Sequence, residues 1–208
     1  TITDANLQAL NTLEFTGTLP DAHTLIATAT SDGSDASLGF IDGTNGVVLD
    51  NTYDVYEFHF INMHPETENA QFSFQVSAAG TFTALQITST AFNAYQGASK
   101  AADGPKIEGD GQANDEDYQS ILSRRTGGGS NEEQSVSGIL RLYAPSSTTY
   151  VKHFMSEGHG YHFEDYSLTM YVAGYINTEL AITQIDFEFD NGEIQGDSEI
   201  KMYGLAKS

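Results

Sequence analysis

Residues 181–204, AITQIDFEFDNGEIQGDSEIKMYG, constrain the fold more tightly than any other part of the chain. Thr183, Ile185, Phe187 and Phe189 fall on every second position, with Gln184, Asp186, Glu188 and Asp190 between them. Side chains of a strand point alternately to opposite faces. A period of two therefore predicts a half-buried antiparallel strand, with an apolar core face and an acidic solvent face. Asn191-Gly192 is a turn signal, and a second strand follows it.

The same grammar recurs along the chain. TLIATAT (24–30) begins it, and TYDVYEFHFINMHP (52–65) places Tyr56, Phe58 and Phe60 on one face. QFSFQVS (71–77) alternates Phe72, Phe74 and Val76 with Gln71, Ser73, Gln75 and Ser77. The Pro-Glu-Thr-Glu-Asn turn between these two runs predicts a hairpin. SVSGILRLYAP (135–145) and TTYVKHFM (148–155) flank a Pro-Ser-Ser turn and predict another, while YSLTMYVAGY (166–175) aligns Leu168, Met170 and Val172. About ten strands follow from this reading, with no heptads and no fixed-period repeat.

A chain of 208 residues can bury a sizeable core as one large β domain. The expected architecture is all-β: an antiparallel β-sandwich, jelly-roll-like, spanning residues 16–208. A short N-terminal arm, residues 1–15, precedes it, and its Ile2, Leu7, Leu10 and Leu13 are candidate interface residues for docking on a neighbour. Residues 96–134 are rich in Gly, Ala, Ser and Asp, and are expected to form one long mid-chain loop interrupted by a short strand at 118–122.

Charge and composition narrow the function classes. Twenty-nine acidic residues against 8 basic ones give a net charge of −21, which repels phosphate backbones, so nucleic-acid binding is not expected. The chain has no cysteine, hence no disulfide and no thiolate chemistry, which fits assembly in a reducing cytoplasm. No apolar stretch approaches the roughly 20 residues that span a bilayer, so membrane insertion is not expected. There is no Gly-x-Ser-x-Gly, and Gly127-Gly128-Gly129-Ser130 lacks the Lys and strand–helix context of a phosphate loop.

Three stretches together resemble a family of virion structural proteins of tailed bacteriophages, especially marine ones. They are TYDVYEFHFINMHPETENAQFSFQVS (52–77), SGILRLYAPSSTTYVKHF (137–154) and AGYINTELAITQIDFEFDNGEIQGDSEIKMYGLA (173–206). The shared pattern is a Tyr-Asp opening a long strand, a Pro-Ser-Ser hairpin and a terminal strand closing on Tyr-Gly. Gly196-Asp197-Ser198 stands where the family usually reads Gly-Ser or Gly-Thr. The resemblance implies a non-enzymatic β-sandwich on a phage particle, made in the host cytoplasm and located on the virion.

Two constellations could bind metal. SEGHGYHFED (156–165) brings His159, His162, Glu164 and Asp165 together in sequence, with His153 nearby, and imidazole with carboxylate is zinc chemistry. Gly158 and Gly160 oppose a helix that would align the two histidines, so an exposed polar loop between strands is expected instead. Acidic IEGDGQANDED (107–117) offers Asp110, Asp115 and Asp117 as oxygen ligands for calcium, without the spacing of an EF-hand. A solvated acidic loop is the simpler reading, and no cofactor or catalytic residue is assigned. Tyr161, Tyr166 and Tyr175 either stack on sugars or serve as core and contact residues.

The expectation is a non-enzymatic virion structural protein on the particle exterior, a capsid-decorating or accessory surface protein. Its partners would be other virion proteins of capsid or tail and copies of itself, most simply as a trimer. A tail-associated receptor-binding module recognising a host surface glycan is the competing reading, and a free carbohydrate-binding lectin-like domain is the third.

Overall fold

The computed structural model describes residues 23–97, 102–107, 111–121, 134–162 and 164–207. Among them the chain forms thirteen strands: β1 (His23–Thr30), β2 (Ser37–Ile41), β3 (Val55–Met63), β4 (Phe72–Ser77), β5 (Ile87–Gly97), β6 (Ala102–Ile107), β7 (Ala113–Asp115), β8 (Gln119–Ser120), β9 (Val136–Tyr143), β10 (Lys152–His162), β11 (Tyr166–Ile176), β12 (Gln184–Phe189) and β13 (Glu199–Leu205). They build a nine-stranded sheet ordered β1-β13-β3-β9-β10-β11-β5-β6, with β7 also pairing β5, and a four-stranded sheet ordered β2-β12-β4-β8. Every strand pairing is antiparallel.

Eight strands form a jelly roll. β1, β13, β3 and β9 face β2, β12, β4 and β8, and the chain changes sheet at every step from β1 to β4, from β8 to β9 and from β12 to β13. The other five strands are insertions. β5–β7 lie between β4 and β8 in sequence and β10–β11 between β9 and β12, and all five join the same sheet, widening it beyond β9.

Aromatic side chains hold the two layers together. Phe187 of β12 is fully buried, with ring centroids of Phe58 and Phe60 at 5.5 and 5.3 Å across the sandwich and of Phe72, Phe74 and Phe40 at 6.1, 6.4 and 6.4 Å. Tilted and edge-to-face packing of this kind adds to simple burial. The inward sets read from the period of two, Tyr56/Phe58/Phe60, Phe72/Phe74/Val76 and Leu168/Met170/Val172, are all buried.

Several local expectations are corrected. The runs at 52–65 and 71–77 are not a hairpin: β3 pairs with β13 and β9, whereas β4 pairs with β12 and β8 in the opposite layer. The Phe stripes face one another across the core, as the Phe60–Phe72 centroid distance of 5.2 Å shows. The last two strands likewise lie in different sheets, so the Asn191-Gly192 turn serves a crossover. These crossings are stitched at one end of the sandwich, where Ile194 bridges both Asp35 and Pro65 and the Glu66 amide donates to the Glu193 carbonyl at 2.8 Å. The mid-chain segment expected as a loop carries β6 and β7 as well as the short strand β8. The polar loop expected at 156–165 is mostly strand, because β10 continues through Gly158 and Gly160 to His162. The arm residues Ile2, Leu7, Leu10 and Leu13 lie outside the described residues, as do Gly127–Gly129.

Candidate functional site

The widened sheet has one face on the core and one on solvent. β10 shows it plainly: Phe154, Ser156 and Gly158 point inward, while His153, Met155, Glu157, His159 and Tyr161 point out. Leu25, Phe92, Met155, Tyr161 and Tyr171 are all large apolar or aromatic residues exposed on this outer face.

At its centre sits a buried acid. Glu57 of β3 is directly flanked by Tyr203 of β13 and Arg141 of β9, and its side chain is only 6% exposed. Its Oε1 accepts from Arg141 Nε at 2.8 Å, and Oε2 lies 2.9 Å from His59 Nε2 and 3.1 Å from His23 Nε2. Burial alone would raise this carboxyl. The hydrogen bonds from His59 and Arg141 and the guanidinium charge outweigh it and hold Glu57 below the usual carboxylate range. The His59 ring packs on Tyr203 at 4.8 Å, and Arg141 Nη1 reaches Glu157 at 3.5 Å. Only the His59–Glu57 spacing of two was readable as one face of a strand. Arg141 and His23 join through register alone.

Beside this cluster the register sets a row of large side chains next to a row of short ones interrupted only by His159. Ile139, Glu157, Tyr171 and Phe92 form one cross-strand row, and Ser137, His159, Thr169 and Ala94 form the next. The rings of Tyr171 and Phe92 stack at 5.1 Å and 20°. His159 Nε2 lies 2.9 Å from Ser167 Oγ, and the Tyr161 hydroxyl donates to Asp165 at 3.0 Å. A serine beside a histidine is the beginning of a nucleophilic pair, but the amides of β10 and β11 are spent in the ladder and cannot converge on an oxyanion there.

The candidate zinc group, set aside on its spacing, is not brought together. His159 lies on the outer face, whereas His162 is buried on the inner one, stacked on Tyr166 at 4.6 Å, with its Nδ1 accepting from the Glu164 amide at 3.2 Å. Glu164 accepts from the Tyr166 hydroxyl. A spacing of three residues puts the two side chains on opposite sides of a strand. Asp115 and Asp117 are exposed, and the backbone carbonyls of Glu116 and Asp117 instead accept from Gln75 Nε2 at 2.9 and 3.1 Å. Asp110 lies outside the described residues. Among the described residues no group of three or more His, Cys, Asp or Glu side chains could hold a metal ion.

The acidic face of β12 is not a free solvent face either. Tyr118, with Phe82 stacked on it at 6.5 Å, donates its hydroxyl to Asp186 at 3.0 Å. Desolvation raises the Asp186 carboxyl in spite of hydrogen bonds from Tyr118 and Ser37. Glu188 is raised by burial and by the neighbouring charges of Asp186 and Asp190. No protein-family model, curated protein or solved structure matches the chain, so the site rests on its own geometry.

Proposed function

We infer that this chain is a structural protein of a bacteriophage particle exterior, a capsid-decorating or accessory surface protein, which works by presenting a face rather than by catalysis. One observation carries the reading: all five inserted strands widen the same sheet, and its outer face exposes Leu25, Phe92, Met155, Tyr161 and Tyr171 and also carries the Glu57–Arg141 ion pair. Jelly rolls recur in viral capsid and lectin domains, an analogy of fold that adds to the likeness of residues 52–77, 137–154 and 173–206 to phage virion proteins. Large aromatic and Met side chains left on a rigid sheet are the composition of contact surfaces.

A tail-associated receptor-binding role is the second reading, favoured by the row of small residues around His159 between aromatic walls. In either case attachment through Ile2, Leu7, Leu10 and Leu13, and association into a trimer or a symmetric array, are proposals from sequence pattern alone. Particles purified from the phage that encodes this chain should contain it, and antibody raised against it should label them intact. Particles that lack the chain, or label only after disruption, would overturn the exterior assignment.

A further inference from the structure

We propose that a groove crossing β9, β10, β11 and β5 on the outer face of the nine-stranded sheet binds a neutral saccharide. The register builds the groove. Its floor is the row Ser137, His159, Thr169 and Ala94, short side chains apart from the histidine. One wall is the row Ile139, Glu157, Tyr171 and Phe92, and the other is Tyr161, Ser167 and Gln96. Two adjoining shallow depressions of about 260 and 430 Å³ share His159, the larger of them within the size range of small-ligand sites.

Its chemistry suits a sugar ring. Pyranoses carry apolar C–H faces and hydroxyl edges, and the groove offers both complements. Tyr171 is 43% exposed and Tyr161 37%, so each has ring surface to stack on. Phe92 braces Tyr171 by stacking at 5.1 Å, so little side-chain freedom remains to be lost on binding. Hydrogen-bonding groups lie between the rings: Ser137, Thr169, Ser167, Glu157 and the imidazole of His159, which Ser167 holds at 2.9 Å. Asp165, bonded to the Tyr161 hydroxyl at 3.0 Å, closes one end.

Charge selects among ligands. Among the described residues no Lys or Arg lines either depression, whereas Glu157 and Asp165 do, and the whole chain carries −21. Sialylated, uronate or phosphorylated glycans are therefore repelled. Arg141, 3.5 Å from Glu157, partly neutralises the acid, which leaves a polar rather than strongly anionic groove and disfavours a basic peptide. A second copy of the chain would bring its own negative charge. The inference goes beyond the proposed function and holds whether the chain sits on a capsid or a tail.

Isothermal titration calorimetry of the full chain tests it, using neutral tetrasaccharides of glucose, galactose, mannose and N-acetylglucosamine, with sialyllactose and tetralysine as charged probes. At least one neutral tetrasaccharide should bind saturably. Tyr171→Ala and His159→Ala should each weaken it by about tenfold or more, while Leu25→Ala, on the same face but outside the groove, keeps the parent affinity. Matching thermal midpoints establish that the variants are folded, and Tyr171→Phe should restore binding because the ring face remains. No saturation by any neutral tetrasaccharide at about 10 mM, binding that survives both substitutions, or tighter binding of sialyllactose or tetralysine would each overturn the proposal.

Discussion

Phe187 touches more of the core than any neighbour can replace. Five phenylalanines surround it from both layers, so truncation leaves a cavity that neither sheet can close without moving the other. Phe187→Ala should cost about 3–5 kcal/mol in urea unfolding. A loss under ~1 kcal/mol would mean the sheets repack, and the hub description would fail. Titratable groups on the two outer faces act in opposite directions. Glu57 is held below its ordinary range, so its contribution to stability is complete above the ordinary glutamate value and is lost as pH falls through the depressed one. Asp186 and Glu188 are raised, so the folded state binds protons that the unfolded chain has released. Stability therefore falls as pH rises from the ordinary carboxylate range through their folded values. Asp186→Asn keeps an acceptor for the Tyr118 hydroxyl and removes the buried charge. Its thermal midpoint should exceed the parent's near pH 7 and approach it near pH 4. A midpoint lower than the parent's at neutral pH would contradict the burial argument.

Strands were legible wherever large apolar residues alternate with polar ones, which is why the inward faces of β3, β4, β11 and β12 could be named in advance. β5 escaped because Ile87–Gly97 is rich in Ser, Thr, Ala and Gly, whose small side chains give little contrast between faces, and β2 because Ser37–Ile41 is only five residues long, with Leu38 and Phe40 as its inward pair and an exposed Ile41 beside them. Pairing was less legible than strand position. A turn signal says that the chain reverses, not whether the next strand joins the same sheet, and in a jelly roll it joins the other. The Glu57 cluster and the groove around His159 were hidden for the same reason, since both are assembled by cross-strand register from residues distant in sequence. Gly192 shows how the crossover depends on one residue: it has φ +79°, and an added Cβ would lie 2.5 Å from Thr67 Oγ1. Gly192→Ala should destabilise the fold by ~1 kcal/mol or more, read from urea unfolding, because the conformation is strained and Thr67 must also shift. An unchanged midpoint would mean the 190–198 crossover adapts freely.

At the scale of the whole molecule, a charge of −21 and a single widened sheet act together. Like charges spread over the surface oppose compaction and association, and salt screens them within about 8–10 Å at moderate ionic strength. The thermal midpoint should rise as sodium chloride is raised to about 1 M, where screening extends to ~3 Å. A midpoint that falls would show that favourable pairs such as Arg141–Glu57 outweigh the net repulsion. Such a surface also favours display outward, away from other copies. The inserted strands give the outer face its breadth, and the crossovers stitched at Asp35, Pro65 and Ile194 make one end of the sandwich rigid. The most direct measurement of the proposed role is a cryo-electron microscopy reconstruction of a phage particle on which the chain is proposed to sit. It should show the jelly roll on the exterior, with the outer face of the nine-stranded sheet, Tyr171 and His159 included, turned to solvent. Density for the chain inside the shell, or with that face buried against the capsid, would contradict the account.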